Sequence, residues 1–314
     1  MTWAGASKPL DRARLVSAQR LGSAAPPAAC PQNDMTAPVT SPTQHIETLR
    51  RILGELGSVL VCYSGGIDSA FVLAVAHAEL GSRAIGMTAV SPSLSPGEKD
   101  DAARIAAKLG AAHRFVESHE LERAGYVQNG PDRCFHCKSE LYDIAEAKRR
   151  EWQLDAVVNG TNRDDLGDYR PGLEAAKKAG ARSPLVEAGM TKSDVRAAAQ
   201  ALGMDVWDKP AAACLSSRIP YGTSVTSERL AQIGGLEAEL KLLGFRQVRV
   251  RWHDQIARIE VALSELELML TPGVRDATVT AGKKHGFQYV TLDLGGYRTG
   301  SHNEVLVGRA LRIV

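Results

Sequence analysis

Ser58-Val59-Leu60-Val61-Cys62-Tyr63 runs straight into Ser64-Gly65-Gly66-Ile67-Asp68-Ser69, and this junction decides the fold. The first six residues are apolar, β-branched and few, which predicts a buried strand. The stretch that follows, Ala70-Phe71-Val72-Leu73-Ala74-Val75-Ala76, has the length and composition of a helix. A strand that turns through two glycines into a helix bares several backbone N–H groups at the helix N-terminus, where the helix dipole also favours an anion. Gly65 and Gly66 let a ligand approach closely and admit backbone angles closed to other residues. Ser64 and Ser69 add hydroxyl donors, and Asp68 adds a carboxylate where a phosphate-bound Mg²⁺ would sit. The loop lacks the Gly-Lys-Ser/Thr ending of a Walker A motif, so it is a different phosphate cradle. A plain glycine turn is the alternative, but such a turn requires neither serine nor the aspartate.

Outward from the junction, strand patterns at 83–90, 113–116 and 156–160 alternate with helical patterns at 97–110, 138–152, 171–180 and 192–203. This alternation predicts an α/β fold, a doubly wound and mostly parallel sheet that binds ligands beyond the carboxyl ends of its strands. After residue 222 the texture changes. A helix at 227–243, strands at 247–252 and 256–261, helices at 263–270 and 278–285, and a strand at 289–294 predict a smaller C-terminal α+β domain. The expected division is an irregular extension (1–44), a phosphate-loop domain (45–222) and a domain for substrate binding or oligomerisation (223–314). No internal repeat is visible.

The chain has 314 residues, enough for two modest cores. No apolar run reaches membrane-spanning length and no secretory signal is apparent, so a cytoplasmic enzyme is expected. The first stretch holds Pro9, Pro26, Pro27, Pro31, Pro38 and Pro42 among many Ala and Ser, without periodicity, and reads as irregular. Met35 is a candidate translation start; a targeting peptide rich in Arg12, Arg14 and Arg20 is the rival reading. N-terminal sequencing of native protein separates them: an intact Met1 start excludes the Met35 reading. This stretch also carries Lys8, Arg12, Arg14 and Arg20 against Asp11 and Asp34. Removing these from the chain's 38 basic and 36 acidic residues leaves the remainder neutral. A protein that grips a polynucleotide carries a basic surplus, so a small-molecule partner is expected and a nucleic acid is not.

Five cysteines are present: Cys30, Cys62, Cys134, Cys137 and Cys214. Cys30 lies in the irregular stretch, and Cys62 in the buried strand needs no function. Cys134-Phe135-His136-Cys137 is a C-x-x-C between a loop and a helix, a spacing that favours metal or redox chemistry, with inert thiols as the alternative. Cys214 precedes Leu215-Ser216-Ser217-Arg218, and Arg218 would lower its pKa or hold a phosphate. A packing cysteine is the alternative there.

The loop Ser64–Ser69 resembles the SGGxDS pyrophosphate-binding loop of PP-loop ATP pyrophosphatases, which split ATP into AMP and pyrophosphate to activate an oxygen by adenylation. In order, that loop, Arg133-Cys134-Phe135-His136-Cys137-Lys138, Asn159-Gly160-Thr161-Asn162-Arg163-Asp164-Asp165 and residues 213–222 resemble the LarE family of ATP-dependent sulfur transferases, over roughly 45–310. The resemblance implies a fold similar to that of NAD and GMP synthetases. It implies adenylation of the carboxylates of a pyridinium biscarboxylic acid mononucleotide and their conversion to thiocarboxylates, for the nickel-pincer nucleotide of lactate racemase. Family members obtain sulfur in two ways. One sacrifices the cysteine matching Cys214, leaving dehydroalanine. The other holds a [4Fe-4S] cluster on three cysteines, and Cys134, Cys137 and Cys214 resemble that set, since soft thiolates suit iron and three ligands leave one iron open. Zinc on the same thiols is the alternative.

Thr161, Asn162 and Asp164 follow a strand and so are expected at the ligand edge, unless they form only a polar turn and helix cap. Asp168, Tyr169 and Arg170 continue that segment toward the substrate. Arg249 and Arg251 alternate along one strand and share a face, which suits a substrate phosphate; similar arginines bind phosphate in the family. Arg133 and Lys138 would be electrostatic support for the C-x-x-C, and His136 exposed filler. The expected partners are a small nucleotide, a sulfide donor and further copies of the chain. A tRNA thiolase and an ammonia-dependent amide synthetase would use the same loop; the neutral body and the three cysteines speak against them.

Overall fold

The computed structural model describes residues 41–167, 171–209 and 213–298. At its centre β1 (Val59–Cys62) pairs in parallel with β2 (Ala84–Val90) on one side and β4 (Ala156–Val158) on the other, and β3 (Ala112–Glu117) extends the sheet beyond β2. Val59 lies opposite both Ala84 and Ala156. On one face α1 (Pro42–Glu55), α2 (Ile67–Leu80), α3 (Pro96–Lys108) and α8 (Lys192–Ala201) bury Leu49, Phe71, Ile105 and Val195 against Val59 and Val61. On the other, α5 (Arg133–Glu151) and α6 (Pro171–Lys178) bury Tyr142, Ala145 and Ala175 against Leu60, Met87 and Val157. A strand covered on both faces needs apolar residues at every position, which is why 58–63 reads as an unbroken run. Short helices α4 (Ala124–Val127) and α7 (Pro184–Glu187) fill two connections.

Three boundaries differ from expectation. Helix α1 begins at Pro42: Ser41 is its N-cap, with Gln44 completing a capping box, and Pro42 takes the first helical position. Residues 41–44, expected in the irregular extension, are therefore the cap and first turn. The rest of that extension, with Cys30 and Met35, lies outside the described residues, as do Asp168, Tyr169 and Arg170. Helix α5 begins at Arg133, directly after Pro131-Asp132, so the C-x-x-C sits on the helix rather than before it. Helix α11 (Pro272–Lys284) starts earlier than 278, again at a proline in the first turn.

The second sheet is built by α9 (Ser227–Leu242), β5 (Val248–His253), β6 (Ile256–Val261), α10 (Leu266–Leu270), α11 and β7 (Tyr289–Leu292). β5 and β6 pair antiparallel across a tight turn at Asp254 (φ 56°), and β6 pairs in parallel with β7. Leu230, Ile233, Leu236 and Leu240 of α9 pack on Val248, Val250 and Ile259. Tyr126, Leu215 and Ile219 join this second core, so the segments flanking the cysteines rest on it. Among the described residues no helix is long and apolar enough to cross a membrane.

Candidate active site

The chain runs from β1 to β2 to β3 and then returns to β4 on the opposite side of β1. That reversal opens a crevice beyond the carboxyl ends of β1 and β4, the ligand position of such sheets. Ser64–Ser69 leave β1 into it, and 159–165 leave β4 beside them. Gly65 is left-handed (φ 72°), whereas Gly66 is extended (φ -79°) as the N-cap of α2. Only the first glycine therefore needs its conformational freedom. A Cβ there would also lie 3.0 Å from the Ala102 backbone. Ser69 Oγ accepts from the Ser64 amide at 3.1 Å and donates to the Gly66 carbonyl at 3.1 Å, and the two hydroxyls lie 3.1 Å apart. The serines thus brace the loop from within, while the first-turn N–H groups of α2 have no intrahelical acceptor and face the crevice.

Asp68 is gripped from two sides. Asn162, buried, donates through Nδ2 to its Oδ1 at 3.2 Å, and Lys192 Nζ pairs with its Oδ2. Lys192 opens α8, and its amide donates to Asp164 Oδ2 at 2.9 Å. The Thr161 amide donates to Asn159 Oδ1 at 3.0 Å, a tight turn just beyond β4. Lys209 reaches the Gly65 carbonyl at 3.1 Å and Asp101 at 2.9 Å. Lys192 and Lys209 were not legible as site residues. The only local signal was the Thr191 cap, which puts Lys192 at a helix start.

Gly160 is a further residue that motif reading passed over. A Cβ at this position would lie 2.6 Å from the Ser69 amide nitrogen and 2.9 Å from its Cα. The β4 loop therefore touches the backbone of the phosphate loop, and only glycine fits between them. Gly160→Ala is expected to cost about 1–3 kcal/mol by overpacking and to weaken ATP binding in the same protein. Thermal unfolding and an ATP titration check both; wild-type values would show that the contact is slack.

The described cysteines are all free thiols: Cys134 and Cys214 exposed, Cys62 and Cys137 half-buried. Cys134 and Cys137 occupy the first turn and a half of α5, and Cys214 caps a short turn at Leu215–Arg218. Burial, then the charge of Glu120, pushes the Cys137 thiol up to about 12, with Lys138 opposing. The charges of Cys134 and Cys214 push the Cys137 thiol in the same upward direction. Arg133, 3% exposed, presents its charge to Cys134 and Cys214. His136 pairs with Asp132 at 3.1 Å on its own helix, not with a thiol. Among the described residues no three His, Cys, Asp or Glu side chains converge to hold a metal ion. Burial pushes Cys62 up to about 12 as well. Iodoacetamide at pH 8 is therefore expected to label Cys134 and Cys214 and spare Cys62, as read by peptide mapping; labelled Cys62 would contradict its burial.

The predicted arginines are brought together, and Arg218 and Arg251 form buried ion pairs. Arg218, 3% exposed, forks onto Glu237 at 2.9 and 3.1 Å and ties down the carbonyls of Ala213 (2.6 Å) and Cys214 (2.9 Å). Nε and Nη2 serve Glu237, while Nη1 holds the Cys214 turn itself. Arg251 forks onto Glu260 at 3.0 and 2.7 Å and donates to the Ser217 carbonyl at 3.0 Å. Arg249 faces Tyr297, 5.2 Å from the ring centroid, and burial with neighbouring Arg218 and Arg251 depresses its pKa. Glu237 and Glu260, which claim these guanidiniums, come from α9 and β6 and were not singled out from sequence. Three arginines thus cluster beneath the Cys214 turn with two carboxylates between them.

No protein-family model matches the chain. It is 45% identical over 261 residues to an uncharacterized protein of Synechocystis sp., covering 83% of this chain and 97% of that one. It is 40% identical over 260 residues to the pyridinium-3,5-bisthiocarboxylic acid mononucleotide synthase of Lactiplantibacillus plantarum, covering 82% of this chain and 94% of the synthase. A more distant likeness, 27% over 192 residues, joins 49% of this chain to 52% of the tRNA-specific 2-thiouridylase MnmA of Rickettsia africae. The phosphate loop at the switch point of a parallel sheet and the near-complete match to the synthase agree: the chain belongs to the LarE family of ATP-dependent sulfur transferases, within the PP-loop superfamily.

Proposed function

We propose that the protein activates the carboxylates of pyridinium-3,5-biscarboxylic acid mononucleotide with ATP and converts them to thiocarboxylates, a step toward a nickel-pincer nucleotide. The observation that carries this reading is the 40% identity over 94% of the synthase that bears the product's name. A carboxylate oxygen attacks the α-phosphorus of ATP; the bond to the pyrophosphate oxygen breaks, leaving an acyl-adenylate. The amides of the Ser64–Ser69 loop and the ammonium groups of Lys192 and Lys209 hold the phosphates and stabilise the charge that develops. Asp68 would hold the Mg²⁺ that accompanies ATP, an ion that neutralises phosphate charge. Arg249 and Arg251, with Arg218 behind them, would receive the substrate's own phosphate, and Thr161, Asn162 and Asp164 would line the ATP crevice. A sulfur nucleophile then bonds to the activated carbonyl carbon, and AMP leaves as the C–O bond breaks.

Cys134, Cys137 and Cys214 fit an iron–sulfur cluster in donor chemistry: all three are free thiols, and soft thiolates are the ligands that such clusters take. Arg133 and Lys138 supply positive charge beside them. A [4Fe-4S] cluster held there would supply a labile sulfide on the iron left without a protein ligand. The exposure of Cys214 favours a second source: its own thiolate forms the C–S bond. Breaking its Cβ–Sγ bond, with loss of the Cα proton, then leaves dehydroalanine. We place the enzyme in the cytoplasm, with residues 223–314 as a domain for substrate binding and self-association. Pyrophosphate release that requires the biscarboxylated nucleotide supports this reading. Release that instead requires tRNA or ammonia would replace it with a thiolase or an amide synthetase.

A further inference from the structure

The turn carrying Cys214 and the helix carrying Cys134 and Cys137 are joined by one buried cluster. Asn129 is fully buried and left-handed (φ 55°), a conformation in which asparagine is enriched. Its Nδ2 donates to the carbonyls of Ile219 (3.3 Å), Pro220 (2.8 Å) and Thr223 (2.9 Å). Its own carbonyl accepts from the Gly222 amide at 3.1 Å, and the Val127 carbonyl accepts from the Val225 amide at 2.9 Å. Arg133 donates through Nη1 to Asn129 Oδ1 and to the Ser216 carbonyl at 2.9 Å. Tyr126 hydrogen-bonds the hydroxyl of Ser216, which is itself fully buried. Apart from the Arg133–Asn129 bond, each of these links crosses from 126–133, which leads into the C-x-x-C, to 216–225, which follows Cys214.

We propose that Asn129 and Arg133 form a clasp that sets the position of Cys214 relative to Cys134 and Cys137, making them positioning residues for sulfur delivery. The proposal rests on the three-cysteine reading and gives it a geometric cause. The Asn129 side chain gathers three carbonyls of a turn that lies far away in sequence, and its oxygen passes the grip to Arg133. Arg133 serves both segments from one nitrogen, Nη1, and a lysine side chain ends one bond short of that atom, so its ammonium does not reach both acceptors. Cys134 follows Arg133 directly, so the grip is transmitted to the first turn of α5 without an intervening flexible residue.

The test treats the reduced full-length protein with a short bifunctional maleimide and maps peptides in which Cys214 is joined to Cys134 or Cys137. Joining after the first attachment depends on effective concentration, hence on how the two segments are held. Asn129→Gly, which keeps the left-handed turn, and Arg133→Lys should each lower the joined fraction roughly fivefold or more relative to singly labelled protein. Leu53→Ala, a buried position of α1 in the core of the parallel sheet, should lower the melting temperature yet leave joining at the wild-type level. Wild-type joining in Arg133→Lys would overturn the clasp, as would an equal loss in Leu53→Ala. Should Asn129→Gly fail to fold, Arg133→Lys decides alone. If wild-type protein makes no thiocarboxylate while the clasp variants still lose joining, the clasp stands and the three-cysteine function falls.

Discussion

Asp68→Asn is expected to slow nucleotide-dependent pyrophosphate release by roughly a thousandfold, the range seen when a charge-stabilising group is removed from a transition state. Asp68 stands in the first turn of α2, where Asn162 holds one carboxylate oxygen and Lys192 the other. Asparagine keeps the shape and can still accept from Asn162, but it loses the charge that positions Lys192 and that would bind a phosphate-bound cation. The fold should survive, because the side chain is partly exposed and the loop is braced by Ser64 and Ser69 instead. Lys192→Met should act in the same direction with a smaller effect, roughly ten- to a hundredfold. The two losses should not add, because the residues are in direct contact. Stopped-flow pyrophosphate release with a melting curve for each variant checks this; additive losses would mean that Asp68 and Lys192 act separately.

Cys214→Ala should separate activation from delivery. Thiocarboxylate formation is expected to fall by at least about a thousandfold, because the nucleophile or its holder is gone. Pyrophosphate release should fall less than about tenfold, since the phosphate loop and its lysines do not involve this residue. The exposed position of Cys214 makes alanine structurally mild there. Cys134→Ala and Cys137→Ala then divide the two sulfur sources. With a cluster, each should abolish thiocarboxylate formation as Cys214→Ala does. With a sacrificial cysteine, both should retain it.

Much of this architecture is legible locally, because the signals are local. A doubly covered strand must be apolar throughout, a glycine turn must precede α2, and the alternation of strands and helices constrains the sheet. The residues left unread are those whose meaning arrives from far along the chain. Lys192 meets Asp68 from 124 residues away, and Lys209 meets Gly65 from 144. Nothing near either lysine distinguishes it from a solvated surface charge. Gly160 matters only because Ser69 lies against it, and Asn129 because three distant carbonyls need its amide. Arg218, Arg249 and Arg251 were identifiable as charges sharing a region. Their burial against Glu237 and Glu260 was not, because carboxylates on α9 and β6 carry no sequence mark of their partners. The early start of α5 was hidden because Arg133-Cys134-Phe135-His136-Cys137-Lys138 is too short and mixed to show a helical period.

The most direct test of the account follows the protein and its product together. Anaerobically purified protein is incubated with ATP, the biscarboxylated nucleotide and sulfide, and pyrophosphate, thiocarboxylate, bound iron and intact protein mass are measured in one sample. The account predicts one pyrophosphate per thiocarboxylate, more than one thiocarboxylate per protein, bound iron and an unchanged mass. Pyrophosphate without thiocarboxylate would contradict sulfur transfer itself, and an iron-free protein lighter by one H₂S at Cys214 would contradict delivery from a three-cysteine cluster.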